Sequence, residues 1–134
     1  MRTVFVDTSG FYAHLDPGDP FHATATELFV RAGDDAWNLV TTNYVLLETV
    51  ALIQNRLGWV ATDQWRNHVL RHCRVAWVDE SLHRLGEARW VQARERRLSL
   101  TDCVSLEFMR NEGITEAIAQ DDHFTRAGIG SPGR

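Results

Sequence analysis

Short apolar runs alternate along this chain with longer segments patterned for helices. Thr3 to Val6 is rich in β-branched and aromatic residues, ends at Asp7 and reads as a first strand. Thr8 to Leu15 reads as a short helix, followed by the turn cluster Asp16-Pro17-Gly18-Asp19-Pro20. A helix from Phe21 to Arg31 closes at Gly33, and Leu39-Val40-Thr41 is a second strand. Asn43 is placed to cap the next helix, Tyr44 to Asn55, which is nearly all apolar and ends at Gly58. Thr62 or Asp63 opens a further helix through His72, and Val75 to Val78 is the third strand. Asp79 caps a long helix to about Arg94, and Ser99 or Thr101 caps another to Asn111 that Gly113 closes. Ala117 to Ala119 is the fourth strand, with Asp121 and Asp122 just beyond it. This alternation predicts an α/β fold, a mostly parallel central sheet with helices on both faces.

Composition narrows the class. The chain has 134 residues, 44% of them hydrophobic and 24% charged, which suits one domain with a real core. We read residues 1–128 as that domain and 129–134, rich in glycine, as a flexible tail. The N-terminal apolar run meets Asp7 before it reaches the ~7–15 residues of a signal-peptide core. No run approaches the ~18 apolar residues of a membrane span, so a cytoplasmic protein with no membrane contact is expected. All 14 basic residues are arginine, and 18 acids leave a net charge of −4. That total argues against a nucleic-acid binder, unless several of the acids are occupied by cations. Cys73 and Cys103 have no metal-ligand spacing and read as reduced thiols in or near the core, a disulfide between them being left open.

In an open α/β sheet, ligands bind outside the carboxyl ends of the strands. Asp7 and Asp121 fall at two such ends, with Asp122 adjacent. Glu48 interrupts an apolar helix and must face water or a cation, because an unpaired buried carboxylate is costly. Asp102 lies in the first turn of its helix, where it either complements the helix dipole or projects past the helix end as a ligand. Four clustered carboxylates would repel one another unless cations were present. An oxygen-only donor set points to Mg²⁺ or Mn²⁺, one ion or two.

Five segments then resemble one family. They are Val4-Phe5-Val6-Asp7-Thr8-Ser9, Asp19-Pro20-Phe21-His22-Ala23, Glu48 after an apolar helix start, Leu98-Ser99-Leu100-Thr101-Asp102-Cys103-Val104-Ser105, and Ala119-Gln120-Asp121-Asp122-His123-Phe124. In order and spacing they resemble the PIN-domain ribonucleases, and among these the VapC toxins of type II toxin–antitoxin systems. The resemblance implies a three-layer PIN-like fold. It makes Asp7, Glu48, Asp102 and Asp121 the metal-holding catalytic quartet, with Thr8 and Ser9 supporting it through hydrogen bonds. It further implies an endoribonuclease that hydrolyses RNA phosphodiester bonds with a metal-bound water, leaving a 5′-phosphate and a 3′-hydroxyl. A VapB-like antitoxin and a homodimer are the partners it implies. The alternative is a PIN scaffold that binds RNA or a partner without cutting. A phosphoacceptor module would also hold Mg²⁺ at strand ends, but it needs a lysine and this chain has none.

The remaining polar and aromatic features have two readings each. Arg94, Arg96 and Arg97 either contact phosphate, Arg97 foremost, or sit as cations at a helix C-terminus. His68, His72 and Cys73 suggest zinc only weakly, for want of a clear third ligand pattern. His123 serves either as a proton shuttle or in a capping role. Trp77 and Trp90 fit core positions, whereas Trp59 and Trp65 are expected to be partly exposed as anchors for a partner.

Overall fold

The computed structural model describes residues 1–133. Four strands form one parallel sheet in the order β3-β2-β1-β4. They are β1 (Thr3–Val6), β2 (Asn38–Thr42), β3 (Cys73–Ala76) and β4 (Ala117–Ile118). The flanking helices are α1 (Thr8–Leu15), α2 (His22–Asp34), α3 (Asn43–Gln64), α4 (Glu80–Ala93), α5 (Leu100–Glu112) and α6 (Asp122–Arg126). β1 is central and its apolar residues Val4, Phe5 and Val6 are all buried, as befits a strand covered on both faces. Phe5 packs on Phe108 of α5 with ring centroids 6.0 Å apart, and Phe11 of α1 meets Trp65 edge-on at 5.5 Å.

Several expected boundaries move, each for a physical reason. Thr42, rather than Asn43, caps α3: its hydroxyl accepts from the Val45 N–H, and its backbone is extended as a cap requires. The Asn43 side chain instead accepts from the Val78 N–H and ties α3 to the end of β3. Gly58 breaks the helical geometry (φ 84°, ψ −174°) without ending the element, which resumes and passes into a π turn (Trp65–Val69) and a 3₁₀ turn (Leu70–His72). β3 lies two residues earlier than expected, because its ladder with β2 ends at the Ala76–Thr42 pair. Trp77 is therefore beyond the sheet and 76% exposed, and Trp90 is also exposed, while Trp65 is fully buried. Only Trp59, 63% exposed, keeps its expected setting among these four. Ser99 caps α5 in a reciprocal capping box with Asp102, and Gly113 closes that helix.

The last segment makes definite contacts. Gly130 bridges Glu116 beside β4, Pro132 is buried, and the Gly133 carbonyl accepts from Arg2 and Arg31 at 2.9 and 2.6 Å. Both cysteines are free, and burial pushes the thiols up, Cys73 to about 12 and Cys103 to about 11, which leaves them protonated and inert at neutral pH. No helix is long and apolar enough to cross a membrane among the described residues.

Candidate active site

β1 and β4 are neighbours in the sheet, so their carboxyl ends open on one edge. Asp7 follows β1 and is the cap of α1; Asp121 follows β4 by three positions and is the cap of α6. The backbone joins the two ends closely, with the Asp7 N–H donating to the Ile118 carbonyl at 3.2 Å. Gly10 permits this approach, because a Cβ there would lie 2.3 Å from the Ile118 carbonyl oxygen. Asp102, in the first turn of α5, and Glu48, in the second turn of α3, complete the group.

Asp7 is the most perturbed of the four. It is 4% exposed, and burial pushes its carboxyl up to about 7 against hydrogen bonds from Ser9, with the charges of Asp102 and Glu48 adding to the rise. Its Oδ2 accepts from the Ser9 hydroxyl at 2.7 Å and the Ser9 N–H at 3.2 Å. Its Oδ1 is buried and has no hydrogen-bond partner. Asp102, 8% exposed, is also raised, first by burial and then by the charges of Asp121 and Glu48, opposed by its bonds to Ser99. Asp102 and Glu48 act on Asp7, and Asp121 and Glu48 act on Asp102, so Asp102 links the four carboxylates electrostatically. Glu48 itself is exposed, consistent with the cost of burying its charge.

The two hydroxyls next to Asp7 have different tasks. Ser9 donates to Asp7 and accepts from the Gln120 N–H at 2.9 Å, so one side chain pins the end of β1 to the loop after β4. Thr8 is buried facing α3: its hydroxyl reaches the Val45 carbonyl (3.5 Å) and accepts from Thr49 (3.1 Å), the residue after Glu48. It positions α3 rather than the Asp7 carboxylate.

Beyond Asp121 an open cleft of about 910 Å³ runs between Phe21, Arg97, Asp122, His123 and Arg126. The short helix α6 that forms one wall was not anticipated from the sequence. Its signal was the Asp121 side chain two residues before His123, whose N–H it accepts at 2.7 Å. His123 and Arg126, one turn apart on α6, converge with Glu95. The His68–His72–Cys73 idea gains nothing: no three His, Cys, Asp or Glu side chains stand in ligating geometry, here or at the carboxylates, among the described residues.

The donor chemistry nevertheless fits a hard divalent cation. Asp7 offers a buried carboxylate oxygen with no hydrogen donor, and the like charges of Asp102 and Glu48 act on it, a setting that a hard cation with oxygen ligands would relieve.

The PIN domain family matches residues 4–130. This chain is a PIN-domain protein of the VapC toxin family. The 23S rRNA-specific endonuclease VapC20 of Mycobacterium tuberculosis, found in two strains, is 34% identical to it over 129 residues, covering 94% of this chain and 95% of the relative. The crystal structure of Mycobacterium tuberculosis VapC20, described as a sarcin–ricin loop cleaving toxin, superposes with a TM-score of 0.83 at 33% identity, covering 94% of this chain and 95% of that one. The three-layer α/β architecture is thus the PIN fold, and the family role is that of the ribonuclease toxin in a toxin–antitoxin pair. PIN-domain nucleases in general use divalent metal ions.

Proposed function

We propose that this chain is an Mg²⁺- or Mn²⁺-dependent endoribonuclease, the toxin of a VapBC-type pair, with Asp7, Glu48, Asp102 and Asp121 as its metal-holding residues. The observation that carries this reading is Asp7, whose Oδ1 is buried without a hydrogen donor while burial and like charges hold its carboxyl near 7. Binding of one or two cations would be coupled to release of the Asp7 proton, because a carboxylate ligates only in its deprotonated form. Bound there, the cation supplies Lewis acidity and neutralises charge developing on a phosphodiester under attack by water. The chain's own residues do the positioning. Ser9 fixes the rotamer of Asp7 and the loop that carries Asp121, Ser99 fixes Asp102, and the Thr8–Thr49 bond holds the helix that presents Glu48.

The substrate printed for VapC20 makes 23S rRNA, and its sarcin–ricin loop in particular, the first RNA to test. A VapB-like antitoxin would hold the chain inactive, and a homodimer is the expected free form. The test is incubation of the purified, antitoxin-free protein with total bacterial RNA in Mg²⁺ or Mn²⁺. Discrete fragments carrying 5′-phosphates, absent with EDTA and absent with Asp7→Asn and Asp102→Asn, support the proposal. RNA left intact in every metal, by a folded protein, contradicts it.

A further inference from the structure

We infer that the cleft beyond Asp121 is a nucleotide subsite, in which Phe21 stacks on a base flanking the scissile bond and Arg97 and Arg126 hold the phosphates on either side of that base. This inference rests on the endoribonuclease reading above and adds the groups that grip the RNA strand. Phe21, Arg97 and Arg126 come from three separate parts of the chain and line one open cleft that Asp121 also lines. At about 910 Å³ the cleft lies within the ~300–1,000 Å³ range of ligand pockets.

Each group is held in place. Phe21 is the residue before α2, and its N–H donates to the Asp19 side chain at 2.8 Å, while its carbonyl accepts from Ala25. The Asp19-Pro20 turn therefore fixes the Phe21 backbone, and the side chain, half-buried against the core, also lines the cleft. The Arg126 guanidinium donates to His123 Nδ1 at 2.6 Å and lies 3.5 Å from Glu95, yet it remains 60% exposed. Its partners restrain it without covering it.

Arg97 has no good structural task. α4 ends at Ala93 with Arg94 as its cap, so Arg97 lies beyond the last turn, outside the reach of a favourable dipole interaction. It stands instead two residues before Ser99, the cap of α5, where the positive end of that helix disfavours a cation. Arg97 is exposed and makes no ion pair among the described residues. An unpaired arginine, a restrained arginine and an aromatic ring beside a phosphodiester-cleaving centre match how proteins hold single-stranded RNA, by phosphate contacts and base stacking. The acidic chain thereby places two exposed guanidinium groups in a cleft that Asp121 and Asp122 also line.

The experiment is fluorescence anisotropy of the full-length protein with a labelled ten-nucleotide single-stranded RNA of mixed sequence, in EDTA so that nothing is cut. Phe21→Leu is expected to weaken binding roughly 5- to 100-fold and Phe21→Trp to restore it. Arg97→Gln and Arg126→Gln should each weaken binding several-fold and lower the salt-dependence slope by about one. Arg74→Gln, exposed on β3 at the other side of the sheet, should change neither. Circular dichroism verifies that each variant is folded. Wild-type binding that survives Phe21→Leu and Arg97→Gln unchanged overturns the subsite while leaving the nuclease reading intact. Loss of the same size in Arg74→Gln also overturns it, as non-specific attraction. Failure of the wild-type protein to bind this RNA also overturns the subsite, and the nuclease reading is judged separately by the cleavage assay with added metal.

Discussion

Replacing Asp7 by asparagine should make the protein more stable at alkaline pH when divalent metal is absent. The Asp7 carboxyl rises from 3.8 to about 7 on folding, roughly three pH units, which corresponds to about 4 kcal/mol of unfavourable charge burial once the group is ionised. The folded state keeps this proton to higher pH than the unfolded chain does. Stability therefore falls as pH rises from about 4 to about 7, and the full penalty applies above 7. An asparagine in this place would carry no charge and could still accept from Ser9, but its amide would occupy the position of the partnerless Oδ1 at a cost of ~1–3 kcal/mol. The difference leaves a net gain of ~1–3 kcal/mol at pH 8.5, or ~3–10 °C in melting temperature for a chain of this size. At pH 4.5 the gain should vanish. The assay is thermal unfolding of both proteins in EDTA at the two pH values. A variant no more stable than wild type at pH 8.5, or equally favoured at pH 4.5, refutes the reasoning that Asp7 is held charged against the fold's preference.

Three further perturbations test other links. Ser9→Ala removes the hydroxyl that joins Asp7 to the Gln120 N–H and should lower metal affinity or RNA cleavage ~10–100-fold, read as a raised metal requirement that excess Mn²⁺ partly offsets. Gly86→Ala should destabilise by ~1–3 kcal/mol or more in a denaturant titration, because the new Cβ would lie 2.4 Å from Val104 Cγ2 and 2.8 Å from its Cα where α4 crosses α5. An additional Val104→Ala should recover only part of the loss, since the backbone contact remains. Trp77→Ser, at an exposed position beyond β3, should change stability by less than ~0.5 kcal/mol, whereas a large loss would show that the ring packs.

The positions of the candidate acids were more legible in the sequence than the packing was. Asp7 and Asp121 were legible because short apolar strands followed closely by aspartate name the sheet edge directly, and parallel α/β connectivity puts those ends together. Asp102 was legible through Ser99 three residues earlier, a cap pattern that is local in sequence. What could not be read were choices settled by distant partners. Trp65 and Trp77 exchange their expected settings because Phe11, more than fifty residues away, receives the first, and the β2 ladder stops one residue short of the second. Thr42 rather than Asn43 caps α3 because Asn43 has a better use holding the Val78 N–H. Thr8 matches the family motif, yet the structure turns it to Val45 and Thr49, a direction that periodicity alone does not fix.

The most direct test of the central claim, that these four carboxylates make one cation site, is a calorimetric titration of the purified protein with Mn²⁺ at pH 7 in two buffers of different ionisation enthalpy. One or two ions should bind saturably with net proton release, since the Asp7 carboxyl titrates at about 7, and Asp7→Asn should lose the binding. Binding with no proton release, or binding that persists unchanged in Asp7→Asn, would contradict it.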